Sequence, residues 1–338
     1  MILISNADTY LGHSLTSHLA ADPHTRSQLR ILCQDDTQCK NFKKQGIDVR
    51  KNDYINPHHL SLAMRNVTHL VLVIGNHVDR VNHARNLCRV ASRSGVDSIL
   101  LLSHVGALCP NLTSSLMDYA LVEDEIYNID CAWTILRLDW IQQYFHFWAT
   151  FTERHGAFPL PMDAATEFCP IDIQDVCECV SALLLDDTAT EILETLDDQH
   201  VGQVYTLTGA QMLDGKQLMQ SLIDVTHYSA FRYTHIRPMD LQYYLQFLQK
   251  DILFDARLKK DRSRIIGDDF TSHAYRLTIT KAPSRSDLQI QDFLDYFDWV
   301  ARTSSSIDVP HVCLLTGKPP RSLDAFFLEN ANAFKPRG

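Results

Sequence analysis

Glycine is scarce in this chain, with 12 among 338 residues, roughly half the usual ~7%. Loops that cradle phosphates are built from glycine, so any nucleotide site here has to manage with few of them. Long apolar runs are missing too. The richest, His69–Ile74 and Ser98–Ser103, fall far short of the ~20 residues of a membrane span, so no membrane role is expected. Met1-Ile2-Leu3-Ile4 leads directly into a strand pattern with no basic n-region or cleavage site, which argues against a signal peptide. Nine cysteines occur (33, 39, 88, 109, 131, 169, 177, 179 and 313), an odd number without a CxxC pair. They read as reduced thiols serving as small core hydrophobes in a cytoplasmic or nuclear protein. Cys177 and Cys179 are two apart and diverge on a helix, so with Cys169 they make a poor metal set. Positive charge is also short: 31 Lys and Arg against 41 Asp and Glu leave a net charge of −10. That excludes direct nucleic-acid binding as the main task, because gripping phosphates needs clustered cations.

Catalytic signatures are missing as well. The chain has no GxSxG, HExxH or Walker loop, and Thr316-Gly317-Lys318 lacks the upstream glycine. Its 16 histidines are dispersed apart from the adjacent His58-His59, so no metal is expected.

What is present is a regular alternation. Met1–Ser5, Leu29–Cys33, Asp48–Lys51, His69–Ile74, Ser98–Ser103 and Trp133–Arg137 read as strands. Helical patterns lie between them, beginning with Leu11, Leu15 and Leu19 at four-residue spacing and ending with Ser115–Asn128. Continuous apolar strands separated by helices predict a parallel sheet covered on both faces. The fold class is therefore α/β, a doubly wound parallel-sheet Rossmann fold over residues 1–155. A smaller α+β C-terminal lobe follows over 156–338, of which about 170–210 returns to the sheet. In the lobe, helices are expected at Asp175–Leu185, Asp214–Asp224, Asp240–Phe254, into which Phe231–Ile236 leads, and Ser322–Ala333, and a strand at Val204–Thr208. Arg257–Arg264 carries five cations in eight residues, read as a solvated face or as a contact for an acidic partner.

Where the first strand turns into the first helix, a dinucleotide-binding protein uses three glycines: for the tight turn, for backbone approach to the diphosphate, and for helix–strand packing. Here the turn reads Ser5-Asn6-Ala7-Asp8-Thr9-Tyr10-Leu11-Gly12, and only Gly12 survives. Asn6 is the mildest loss, because asparagine tolerates positive φ. Thr9 puts a β-branched side chain where phosphate oxygens would meet bare backbone, and Asp8 adds a carboxylate that would repel them. The turn resembles the TGATGxxG loop of atypical short-chain dehydrogenases.

The order of further segments extends the likeness to the NmrA-like family of that superfamily. Gly46-Ile47-Asp48-Val49 through Asn52-Asp53-Tyr54, Trp133-Thr134-Ile135-Leu136-Arg137, Pro170–Val176, Val204–Gly209 and Leu315–Ser322 each resemble a family segment in sequence order. The resemblance implies a NAD(P)-binding Rossmann fold. By position, the candidate cofactor residues are Asn6, Asp8, Thr9, Tyr10, Leu11, Gly12, Gln34, Asp35, Asp53, Tyr54, Ile74 and Gly75.

The acid of the superfamily is not in place. None of the 12 tyrosines is followed four residues later by lysine, and Tyr119 stands where NmrA-like reductases carry a lysine. Glu123, four residues after Tyr119, would raise a phenol's pKa. Ser103 ends a strand where a catalytic serine could sit, but serine is common there for packing, which is the better account. No catalytic residue is assigned. After the second strand, Gln34-Asp35-Asp36 offers no cation to a 2′-phosphate, and its carboxylates suit a ribose diol, so NAD(H) is expected over NADP(H), weakly bound. The same acids also fit a helix N-terminus with no nucleotide.

The resulting expectation is an inactive, NmrA-like regulator that binds a protein partner, by family analogy a transcriptional regulator, and senses a dinucleotide weakly. The alternative is a NAD(P)H-dependent oxidoreductase acting on a quinone-like or other small carbonyl substrate. The sequence leaves the oligomeric state open.

Overall fold

The computed structural model describes the chain apart from residues 110, 112, 187, 189, 247, 249–286, 304–306 and 337–338. The basic run Arg257–Arg264, and the stretch expected to be helical beyond residue 248, lie outside the described residues. The structure divides into two compact units. The first comprises Met1–Leu138, Gln174–Leu207 and His311–Lys318. The second comprises Asp139–Ile173, Thr208–Pro310 and Pro319–Gly338.

The first unit is a parallel sheet flanked by helices. In chain order it runs β1 (Ile2–Ile4), α1 (Tyr10–Leu19), α2 (Pro23–Ser27), β2 (Leu29–Cys33), α3 (Lys40–Lys44), β3 (Asp48–Lys51) and α4 (Pro57–Ala63). It continues through β4 (His69–Val73), α5 (Arg80–Arg93), β5 (Ser98–His104), α6 (Met117–Tyr127) and β6 (Ala132–Leu138). The second unit contributes α7 (Ala149–His155) and β7 (Ala157–Leu160) before α8 (Ile173–Leu184) and β8 (Gln203–Leu207) bring the chain back to the sheet. Strand order is β3-β2-β1-β4-β5-β6-β8, and every pair is parallel. This is a Rossmann-like α/β fold: the order reverses between β1 and β4, and ligands of such sheets bind outside the carboxyl ends of the strands at that point.

Hydrophobicity explains the sheet. β1, β2 and β4 are buried at every residue, and each Leu, Ile or Val side chain taken fully from water contributes roughly 1.5–3 kcal/mol. The buried histidine at the head of β4, His69, is satisfied by Ser98 Oγ at 2.7 Å and the Leu193 carbonyl at 2.6 Å. No described helix is long and apolar enough to cross a membrane.

The second unit contains a two-stranded parallel sheet, β7 with β9 (Arg232–His235), and helices that include α9 (Gly215–Thr226) and Asp287–Thr303. Asp214 and Gln217 form a reciprocal capping box at the start of α9. The expected helix over Ser322–Ala333 is capped by Ser322 but splits at Asn330 into Leu323–Glu329 and Ala331–Phe334. Asn330 Nδ2 donates to the Phe326 carbonyl at 2.7 Å, a local bond that competes with helix continuation. At the centre of the unit Asp139 accepts from Tyr296 Oη and the Trp140 amide, both at 2.6 Å, and its burial pushes the carboxyl up to about 6.

Candidate functional site

The turn from β1 into α1 is built on Asn6, Thr9 and Gly12. Asn6 sits at φ +48°, in the left-handed region. Its amide N–H donates to Tyr54 Oη at 2.8 Å and its Nδ2 to the Val73 carbonyl at 2.7 Å. A Cβ on Gly75 would lie 2.8 Å from Asn6 Oδ1, so glycine is what lets this side chain lie across the carboxyl ends of β1 and β4. Gly12 is equally constrained, because a Cβ there would meet the Asn6 carbonyl oxygen at 2.4 Å. Thr9 caps α1: its Oγ donates to the Asn6 carbonyl at 2.7 Å and accepts from the Gly12 amide at 3.2 Å. Thr9 was expected to obstruct the turn. Its hydroxyl is instead folded into the cap, and the first turn of α1 retains N–H groups that no intrahelical acceptor can reach.

Asp8 also departs from expectation. Its carboxylate is turned toward the loop after β2, where Oδ2 accepts from the amides of Gln34 at 3.0 Å and Asp35 at 2.9 Å. Oδ1 is buried without a hydrogen-bond partner. Burial raises the Asp8 pKa, and the two amides oppose the rise. The charge therefore sits beside the end of β2 rather than over the helix start.

Beyond that loop a cleft of about 450 Å³ opens at the carboxyl ends of β2, β3 and β4. Gln34, Asn52, Asp53, Ile55, His77 and His83 are among its lining residues. Asp53 Oδ1 accepts from the amides of Ile55 and Asn56, and these bonds hold its pKa below the usual carboxylate range. Asp35 is exposed in the loop after β2 and is tied to the Thr37 hydroxyl and amide, which lower its pKa in the same way. Tyr54 is fully buried, so its phenol braces the turn and does not face a ligand. Tyr10 and Ile74 are likewise buried, and Leu11 is half-buried on α1.

Of the twelve candidate residues, Gln34 and Asp53 line the cleft directly. Asn6, Thr9, Gly12, Tyr54 and Gly75 build the β1–α1 turn through the contacts just described. The histidines and Asn52 were missed by the sequence reading. The usable signal was position: Asn52 follows β3, and His77 lies in the segment that follows β4.

The carboxyl end of β5 carries a second set of polar groups. Ser103 Oγ donates to Glu123 Oε1 at 2.5 Å, and Arg137 donates to both oxygens of the same carboxylate at 2.6–3.2 Å. Glu123 is 3% exposed. It was expected to act on Tyr119; it pairs with Arg137 instead, and it raises the pKa of Tyr127, after burial the largest cause. The Tyr119 ring lies under the Arg80 guanidinium, 5.0 Å from its centroid, with the His104 ring 5.4 Å away. His104 Nδ1 accepts from the Gly106 amide at 2.8 Å, and burial pushes the imidazole down to about 3, so it is neutral at physiological pH. Among these groups Ser103 serves an ion pair.

Residues 7–145 match the NAD(P)H-binding family. Quinone oxidoreductase 2 of Escherichia coli strain K12 is 26% identical over 210 residues, which is 62% of this chain and 68% of the relative. Among solved structures, triphenylmethane reductase of Citrobacter sp. complexed with NADP(H) superposes with a TM-score of 0.70 at 17% identity, covering 98% of this chain and 99% of that one. The NADPH-dependent quinone oxidoreductase of Escherichia coli complexed with NADPH gives 0.68 at 21% identity, with 98% and 99% covered. At these identities the likeness to solved structures establishes the fold.

Proposed function

We propose that this chain binds NAD(P)H and uses it to reduce a quinone-like acceptor. One observation carries the reading: a cleft at the carboxyl ends of β2–β4, where a doubly wound sheet receives the adenosine of a dinucleotide, adjoins a β1–α1 turn that keeps its left-handed residue and its packing glycine. The residues fit the group. Gln34 and Asp53 would flank the adenosine, and the first turn of α1 would face the diphosphate.

When bound, the nicotinamide supplies a hydride. The missing Tyr-x-x-x-Lys pair narrows the acceptor. Reducing a simple carbonyl leaves an alkoxide, which needs an acid held against it. Reducing a quinone leaves a phenolate, whose ordinary pKa is about 10 and which takes its proton from water. The absent acid therefore favours quinones over ketones, in line with the relative in Escherichia coli.

The same turn favours NAD(H). A 2′-phosphate would compete with the Asp8 carboxylate for the Gln34 and Asp35 amides, and the loop after β2 supplies Asp35 and Asp36 where a cation would be needed. A second reading, a regulator that binds dinucleotide and a protein partner without turnover, draws on the Asn6 and Asp8 side chains that replace open backbone. Calorimetric titration with NADH and NADPH, followed by absorbance assays with benzoquinone and naphthoquinone acceptors, separates the two. Saturable NADH binding with quinone-dependent oxidation is expected. Binding without oxidation of any quinone would favour the regulator, and the absence of binding at millimolar coenzyme would reject both.

A further inference from the structure

We infer that His77, Asp79 and His83 form a site for a divalent transition metal of the zinc type on the rim of the cleft. One nitrogen from each histidine and one carboxylate oxygen of Asp79 lie within 4.8 Å of one another, and among the described residues no other His, Cys, Asp and Glu side chains gather in this way. His77 Nδ1 is 3.8 Å from Asp79 Oδ2, and the two imidazoles stack with centroids 4.8 Å apart.

Two features distinguish the cluster from a chance meeting of surface groups. First, His83 is 5% exposed in the first turns of α5, and its Nε2 is buried without a hydrogen-bond partner. A buried polar atom left unmade costs ~1–3 kcal/mol, so this side chain lacks a structural explanation that hydrogen bonding would supply. Second, the other two groups are exposed and can adjust once His77 Nδ1 releases the Asp79 amide, from which it accepts at 3.0 Å. His77 and Asp79 are exposed, in the short segment between β4 and α5, whereas His83 is held by the helix.

The donor set selects the class of ion. Two imidazoles and one carboxylate suit Zn²⁺ and its neighbours, whereas Ca²⁺ and Mg²⁺ require oxygen shells. Tetrahedral zinc with ligands at ~2.0–2.1 Å places donor atoms ~3.3–3.5 Å apart. Closing from 4.8 Å requires side-chain rotation of His77 and Asp79 and the loss of the hydrogen bond from the Asp79 amide to His77 Nδ1. Three protein ligands leave a fourth position to water. His77 and His83 also line the cleft, so an ion there and an adenosine would exclude each other; this corollary rests on the coenzyme reading, and the metal site does not.

The test uses the full-length chain without coenzyme. Calorimetric titration with Zn²⁺ is expected to give one saturable site of micromolar affinity or tighter. His77→Ala and His83→Asn are each expected to weaken it by at least about 10-fold, while His24→Ala and Cys313→Ser leave it unchanged. Co²⁺ substitution should give the visible bands of nitrogen and oxygen coordination. Unaltered affinity in His77→Ala, a surface change that leaves the fold intact, would overturn the proposal. So would a thiolate charge-transfer band with Co²⁺, or no saturable binding at all.

Discussion

Replacing Asp8 by asparagine removes one charge and leaves the shape of the β1–α1 turn. The structure puts the carboxylate 3.0 and 2.9 Å from the two amides that a 2′-phosphate would have to use. A phosphate on the rim of that loop would stand ~5 Å from Asp8. With an effective dielectric of ~40, one unit-charge pair at this distance repels by ~1.7 kcal/mol. A phosphate monoester carries about −1.5 to −2 at neutral pH, which raises the figure to ~2.5–3.3 kcal/mol. Salt at physiological strength screens roughly half of it. The remaining ~1.4 kcal/mol is a factor of about ten. Asp8→Asn should therefore tighten NADPH about tenfold and change NADH by no more than about twofold, because NADH carries no charge at the 2′ position. Calorimetry with both coenzymes at two salt concentrations reads the ratio directly, and the NADPH gain should shrink as salt rises. A variant whose NADPH-to-NADH ratio stays within twofold of the parent would show that Asp8 does not guard the 2′ position.

Three further substitutions test the surrounding structure. Gly12→Ala should lose about 1–3 kcal/mol in urea denaturation, since its Cβ would meet the Asn6 oxygen at 2.4 Å and Ala7 Cα at 2.9 Å, both backbone atoms that have little room to retreat. Glu123→Gln should cost about 3–5 kcal/mol by stranding Arg137, whereas Ser103→Ala should cost about 1 kcal/mol and leave turnover within a few-fold; abolished turnover in Ser103→Ala would make the serine catalytic after all. Asp139→Asn should stabilise the protein by about 1–3 kcal/mol at pH 7–8 and not at pH 4. The folded carboxyl is raised to about 6, so the native state binds the extra proton and loses stability as pH climbs from the unfolded value near 3.9 through 6. The neutral amide is insensitive to that climb.

What could be read beforehand follows from the range over which each feature is determined. The strands were legible because a buried parallel strand is apolar on both faces, and runs such as Leu70-Val71-Leu72-Val73 admit little else. Gly12 and Asn6 were legible for a local reason: one position cannot hold a Cβ, and the other needs a residue that tolerates positive φ, which it adopts at +48°. The direction of the Asp8 carboxylate was not legible. It depends on where the loop after β2 places two amides 26 and 27 residues later in the chain, and no local preference encodes that meeting. Glu123 was misread for the same reason, since its partner Arg137 reaches it from the next strand. In the sequence His77 and His83 are two of many scattered histidines, because six residues along a chain say nothing about proximity until a loop folds into a helix start. The Asp8 and Glu123 meetings share one cause: each joins groups from different connections of the sheet, so side-chain identity is local while side-chain aim is tertiary. The side chains that stand in this turn find partners in the backbone around them: Asn6 Nδ2 donates to the Val73 carbonyl and Thr9 Oγ to the Asn6 carbonyl, so Thr9, which looked obstructive, becomes part of the α1 cap.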